Sequence, residues 1–126
     1  MALRLMLVED DPTMQRMYQN IFSRAGFEVM TASDGTIVFE TAAFNRPDII
    51  IMDFKMPNFN GLFALKELKA SPKTESIPVV MLSAYKDDTL VKSATQLGAA
   101  GYLQKGDLEP DELVAYITNL LPKIEA

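Results

Sequence analysis

Asp48-Ile49-Ile50-Ile51-Met52-Asp53 decides the fold. Three isoleucines and a methionine run without a polar break. That pattern reads as a short strand buried on both faces, the usual state of a central strand in a parallel sheet. The run stops at a carboxylate, Asp53, and Phe54-Lys55-Met56-Pro57-Asn58-Phe59-Asn60-Gly61 follows, rich in loop formers. A carboxylate at the carboxyl end of a buried strand lies where open α/β sheets place their chemistry. On this stretch alone it could equally be an Asp that caps the next loop.

Upstream, Leu5-Met6-Leu7-Val8 is a second uninterrupted apolar run, and it also ends in acid, Glu9-Asp10-Asp11. Pro12 suits a first helical turn with Asp11 as its N-cap. Met14, Met17, Tyr18, Ile21, Phe22 and Ala25 then recur three and four apart, the inner face of a helix that Gly26 stops. Phe27 to Ala32 alternates more, as an edge strand would. Asp34-Gly35 turns into a weaker helix from about Thr36 to Asn45, and Arg46-Pro47 ends it.

Downstream of Gly61, Leu62, Leu65 and Leu68 share one side of a helix that Ser71-Pro72-Lys73-Thr74 breaks. Ile77 to Leu82 is a fourth strand ending in Ser83-Ala84. Asp87 or Asp88 caps a helix through Leu90, Val91, Ala94 and Leu97, closed by Gly98. Gly101-Tyr102-Leu103-Gln104 is a short fifth strand ending at Lys105. Pro110 opens a last helix with Leu113, Val114, Ile117, Leu120 and Leu121 inward.

Five strand-helix units in strict alternation predict an α/β fold with a five-stranded parallel sheet and helices on both faces. Strands one, three and four read as buried and strand two as an edge, which fits the order 2-1-3-4-5. A crevice then opens beyond the carboxyl ends of strands one and three.

The 126 residues, 48% of them hydrophobic, suit one compact domain, residues 1–126, with no linker or repeat. The absence of cysteine and histidine removes disulfides, thiolate metal sites, Ser-His and Cys-His catalysis and most zinc sites. A net charge of -5 without a run of Lys or Arg leaves no nucleic-acid footprint. No stretch approaches the roughly 20 apolar residues of a membrane span, and the first residues do not read as a signal peptide. A cytoplasmic location is expected.

The strand ends bring Glu9, Asp10 and Asp53 together, with Ser83 and Lys105 arriving from strands four and five. Two like charges about 4 Å apart at an effective dielectric near 20 cost roughly 4 kcal/mol, so three carboxylates need compensation. A hard divalent cation with oxygen ligands is the natural answer, Mg2+ in particular, and Lys105 adds positive charge. Mg2+, a lysine, a hydroxyl and one spare carboxylate suit phosphoryl transfer onto that carboxylate as nucleophile. Blander readings exist for each residue. The acid cluster could be an N-cap, Ser83 a turn former, Tyr102 a strand aromatic and Lys105 a solvated loop lysine. The eight methionines read as core filler.

The constellation resembles the receiver domain of two-component response regulators, over the whole chain. The matching residues are the acid pair Glu9-Asp10, Asp53 with Met56-Pro57 and Gly61 behind it, Ser83-Ala84, Tyr102 and Lys105. The resemblance implies a flavodoxin-like doubly wound (βα)5 fold. The order 2-1-3-4-5 is that of the family's chemotaxis member, so it belongs to the resemblance as much as to burial. It also implies that Asp53 accepts phosphate from a histidine kinase or phosphotransfer protein. The acid pair, Asp53 and the backbone carbonyl of Lys55 would bind Mg2+. Lys105 would contact the phosphate, Ser83 would move to bind it, and Tyr102 would rotate inward. The helix-four, strand-five, helix-five face would then control a partner protein or fused effector domain.

The pattern is departed from in three respects. Gly106 stands where the family usually has proline after the lysine, often with a cis bond. Lys55 and Tyr85 flank the water path to an acyl phosphate. Val91, Ala100 and Gly101 replace the charged dimer pattern of the transcription-factor subfamily. Two rival functions belong to other classes. A phosphohydrolase with an Asp nucleophile commonly carries a second Asp two residues later, where this chain has Lys55. A flavodoxin-like cofactor binder would need a Ser/Thr/Gly-rich phosphate loop after strand one, which is missing.

Overall fold

A computed structural model describes residues 2–56, 59–84 and 86–121. Pro57, Asn58 and Tyr85, which the sequence reading singled out, lie outside the described residues.

Strand β1 (Arg4–Val8) feeds helix α1 (Pro12–Arg24). The helix starts where expected: Asp11 Oδ1 accepts the backbone N–H groups of Thr13 at 2.9 Å and Met14 at 3.3 Å. That satisfies donors a helix start otherwise leaves unmet. Strand β2 (Glu28–Ala32) leads through a 3-10 turn, Gly35–Ile37, into α2 (Val38–Asn45). Strand β3 (Ile49–Asp53) is followed by α3 (Gly61–Ala70), β4 (Val79–Ser83), α4 (Asp88–Gln96), β5 (Gly101–Gln104) and α5 (Pro110–Leu120). Asp87, not Asp88, caps α4, accepting from Thr89 and Leu90.

The five strands are parallel, in the order β2-β1-β3-β4-β5. This is the order that strand burial fits and the resemblance implies: β3 and β4 are buried at every residue, β2 is an exposed edge, and β1 is buried beyond Arg4.

Alternating side chains feed two cores. Met6, Val8, Ile50, Met52, Val79 and Met81 pack with α2, α3 and α4. Leu5, Leu7, Ile49, Ile51, Val80, Leu82 and Leu103 pack with Tyr18 and Phe22 of α1 and Leu113 and Ile117 of α5. Among the described residues no helix is long and apolar enough to cross a membrane.

Three local expectations need correction. Met17 is 40% exposed rather than inward, because it lies about 100° round the helix from Tyr18, at the rim of the apolar stripe. Ala25 is exposed as well, since the helix has ended and Ala25 is its C-cap. The segment after Asp53 is more than a loop. Lys55–Met56 and Phe59–Asn60 pair as a small antiparallel ribbon.

The ribbon returns the chain to Asp53 at Gly61, whose N–H donates to the Phe54 carbonyl at 2.9 Å. A Cβ at Gly61 would lie 2.5 Å from the Asp53 carbonyl oxygen and 2.9 Å from the Phe54 Cα. Both are backbone atoms, so neither can swing away. Gly61→Ala is therefore expected to cost about 1–3 kcal/mol of stability, the usual range for overpacking. Urea unfolding reads this, and an unchanged midpoint would refute the close-approach argument.

Candidate functional site

Register brings the acids together. Val8 is the partner of Met52, so Glu9 and Asp53, one residue further along parallel strands, come out abreast. Alternation also sorts the side chains by face. Glu9 continues the parity of Leu5 and Leu7, Asp53 that of Ile49 and Ile51, and Lys105 that of Leu103, all on the α1–α5 side. Ser83 continues the parity of Val79 and Met81, and Tyr102 packs on the α2–α3–α4 core.

Lys105 closes the site. Its Nζ lies 2.6 Å from Asp53 Oδ2 and 2.7 Å from Glu9 Oε2. Glu9 is fully buried and Asp53 nearly so. The contact with Asp53 is an aligned hydrogen bond, whereas Glu9 Oε2 meets the ammonium only as an ion pair. Glu9 Oε1 takes the Asp11 N–H at 3.2 Å, and Asp53 Oδ1 takes the Lys55 N–H at 3.3 Å. The lysine is itself anchored through its backbone N–H, which donates to the Ser83 carbonyl at 2.7 Å.

Electrostatics follow from burial and pairing. Burial pushes the Glu9 carboxyl above its ordinary value, with a further push from Asp53, against the pull of Lys105 and the Asp11 N–H. Burial alone would lower the Lys105 pKa, but the two carboxylates together hold it above 10.5.

Glu9, Asp10 and Asp53 each offer an oxygen, all within 4.8 Å of one another. Hard oxygen donors from two buried acids and one half-buried acid fit Mg2+. The crowding that called for a cation is met in part by the Lys105 ammonium, a larger role than the sequence reading gave it. Ser83 is buried at the end of β4, and Tyr102 meets Phe54 with ring centroids 5.5 Å apart. The Lys105–Gly106 peptide is trans, as are all described peptide bonds, and Gly106 has φ +79°.

Residues 5–118 match the family model of the response regulator receiver domain. The chain belongs to that family. Curated relatives include the regulatory protein AtoC of Escherichia coli, 34% identical over 110 residues, or 87% of this chain and 23% of AtoC. The DNA-binding response regulator MtrA of Mycolicibacterium smegmatis is 30% identical over 125 residues, 99% of this chain and 53% of MtrA. This receiver thus spans about a quarter to a half of these relatives. Among solved structures, the chemotaxis protein CheY4 of Vibrio cholerae superposes with TM-score 0.88 at 26% identity, covering 96% of this chain and all of that one. The signal receiver domain of a histidine kinase from Syntrophus aciditrophicus gives TM-score 0.85 at 28% identity, covering 95% and 90%. Nothing in these likenesses favours a phosphohydrolase.

One residue of the receiver's site was missed in the sequence. Tyr18 was read only as helix core. It is buried, and it feels the charges of Lys105, Glu9 and Asp53. Burial raises its pKa. The available signal was chemical: a buried tyrosine needs a partner for its hydroxyl, unlike the leucine or methionine that would fill the same space.

Lys105→Met keeps the stem and removes the ammonium. In metal-free buffer it is expected to lose about 1–3 kcal/mol, the cost of leaving a buried acceptor unmet, and Glu9→Gln in that background should recover much of it. The wild-type contribution is fully present below pH 10.5 and is lost as pH climbs through the raised Lys105 pKa. Denaturant midpoints across pH check both points; a variant as stable as the wild type at neutral pH would contradict the pairing.

Proposed function

We propose that residues 1–126 form one receiver domain that acts as a phosphorylation-activated switch, with Asp53 as the phosphoacceptor. One observation carries the reading: the Asp53 carboxylate is held by a lysine ammonium 2.6 Å away, beside two further acids. That places a candidate nucleophile, its countercharge and a set of cation ligands together.

The Asp53 carboxylate oxygen attacks phosphorus, and the bond from phosphorus to the donor's nitrogen or oxygen breaks. The donor is a histidine kinase, a phosphotransfer protein or a small acyl phosphate. Lys105 passes from the carboxylate to a phosphoryl oxygen, so its charge stays paired throughout. Glu9, Asp10, Asp53 and the Lys55 carbonyl would hold Mg2+, which would supply positive charge for the phosphoryl oxygens. Glu9 has both oxygens engaged within the chain, which favours contact through water. The result is a self-modifying signalling protein rather than a turnover enzyme. A cytoplasmic setting, without nucleic acid or membrane bound by this domain, belongs to the same proposal.

Phosphorylation adds about 1.5 to 2 negative charges, by analogy with other phosphoresidues. Ser83 moves toward them from the opposite face of the sheet, and Tyr102 shifts inward against Phe54. The face of α4, β5 and α5 then presents a changed surface to a partner protein or effector domain. Val91, Ala100 and Gly101 leave it without a charged dimer pattern, and no Arg follows Arg46 to replace it. Coupling of this kind requires a partner that binds one state more tightly.

Acetyl phosphate with Mg2+ is expected to add one phosphoryl group, read by intact mass, and Asp53→Asn to abolish it. Equal labelling of Asp53→Asn would defeat the assignment. Asp10→Asn should relieve repulsion, raising metal-free stability by about 1 kcal/mol, while losing Mg2+ binding. A calorimetric Mg2+ titration that matches the wild type would refute the metal set.

A further inference from the structure

Asp34-Gly35 opens the turn between β2 and α2, and the proposed chemistry makes no use of it. Asp34 Oδ1 closes the turn by accepting the Thr36 N–H and the Thr36 hydroxyl, both at 2.9 Å. Gly35 is buried, yet its backbone stays outside the left-handed region. Space, not dihedral freedom, therefore calls for glycine here. A Cβ on Gly35 would lie 1.9 Å from Cδ1 and 2.1 Å from Cγ of Phe59, so the phenyl ring rests directly on the glycine.

Phe59 belongs to the ribbon that follows Asp53, where it pairs with Met56 while Asn60 pairs with Lys55. A ribbon with two residues a side is marginal on its own, so its place depends on what its side chains grip. Met56 is buried in the core shared by α2, α3 and α4, and the Gly61 N–H ties the ribbon's exit to Phe54. The Phe59 ring adds a grip on a separate element, the turn between β2 and α2. A cavity of about 600 Å³, lined by Lys55, Met56, Phe59, Leu62 and Leu90 among others, lies beside the ribbon. The space leaves the ribbon room to shift, and Lys55 would shift with it. The Lys55 N–H donates to Asp53 Oδ1 at 3.3 Å, and the Lys55 carbonyl belongs to the proposed Mg2+ set.

We infer that Phe59 is a positioning residue for the Mg2+ set: its ring, seated on Gly35, fixes the ribbon and with it the Lys55 carbonyl. This rests on the proposal that the Lys55 carbonyl joins Glu9, Asp10 and Asp53 around the cation. The turn between β2 and α2 thereby supports the phosphoryl site, although neither Phe59 nor Gly35 offers a ligand to the metal.

The test is a double-mutant cycle on Mg2+ affinity, titrated by calorimetry, with amide NMR spectra of the metal-free proteins. Phe59→Ala removes the ring, and Gly35→Ala puts a methyl group where the ring lies. Each single change is expected to weaken Mg2+ binding roughly tenfold, the low end for groups that orient a metal ligand. The double variant should bind no more weakly than Phe59→Ala alone, because contacting residues do not act independently. The Lys55 amide resonance should move in both metal-free single variants. Phe59→Leu, which keeps apolar bulk without the flat ring, replaces Phe59→Ala if the latter does not fold, with the same expectation. Unchanged Mg2+ affinity in either folded single variant overturns the inference. So do losses that simply add in the double variant, which mark two independent structural effects. Wild type that binds no Mg2+ would instead sink the proposed metal set. The metal-free Lys55 amide would then decide whether Phe59 holds the ribbon, and a resonance unmoved in both single variants would show that it does not.

Discussion

One ammonium group sets the terms for the rest of the molecule. Parallel strands in register force Glu9 and Asp53 to emerge side by side, and the sheet is buried too completely for them to splay apart. Two carboxylates at that spacing repel by several kcal/mol at a protein-like dielectric. Lys105, arriving from β5 across the width of β4, answers both at 2.6 and 2.7 Å. The four-carbon stem of lysine makes the reach possible. The charge is a point rather than a fork, which lets it serve two acceptors that are not coplanar. Every backbone feature near the site can be read as keeping this pairing in place: the Ser83 carbonyl under the Lys105 amide, the Asp11 N–H on Glu9, and the Lys55 N–H on Asp53.

Most of the fold was legible because the sequence repeats two simple periods. Unbroken apolar runs at Leu5–Val8 and Ile49–Met52 marked strands buried on both faces, and the Asp11-Pro12 start of α1 was readable from its chemistry. The gathering of Glu9, Asp10, Asp53 and Lys105 followed from a strand order that burial and the family resemblance supplied together. Three things did not. The Lys55–Met56 and Phe59–Asn60 ribbon has only two residues a side, too few to show a period. Met17 satisfied the helical spacing yet sits at the rim, since spacing defines a stripe but not where the neighbouring sheet ends. Tyr18 passed as ordinary core because its ring is core, although the charges of Lys105, Glu9 and Asp53 reach it.

Parity along the strands divides the labour more sharply than the order of motifs suggested. Glu9, Asp53 and Lys105 face α1 and α5, whereas Ser83 and Tyr102 belong to the side of α3 and α4. Chemistry on one face is therefore joined to the other through the strand ends themselves. Phe54 lies at that junction. It follows Asp53 directly, is buried in the α3–α4 core, and stacks in a tilted contact on Tyr102. Its backbone N–H binds the Leu82 carbonyl at 3.1 Å and its own carbonyl holds Gly61. A change at the Asp53 carboxylate thus has a short covalent path to an aromatic contact on the far side of the sheet.

The resting state also limits what a switch here can be driven by. The buried carboxylates are already paired, so a phosphoryl group on Asp53, as proposed, would not rescue a naked charge but would compete for the same ammonium. The free energy available for a change of shape is the difference between two satisfied arrangements, one with Lys105 on Asp53 and Glu9, the other with Lys105 on a phosphoryl oxygen. Releasing Glu9, which is fully buried, would be costly unless a cation held jointly with Asp10 took over its charge. On the proposed mechanism, metal occupancy and lysine transfer would then be coupled, since lysine transfer alone would leave the buried Glu9 carboxylate without a counterion.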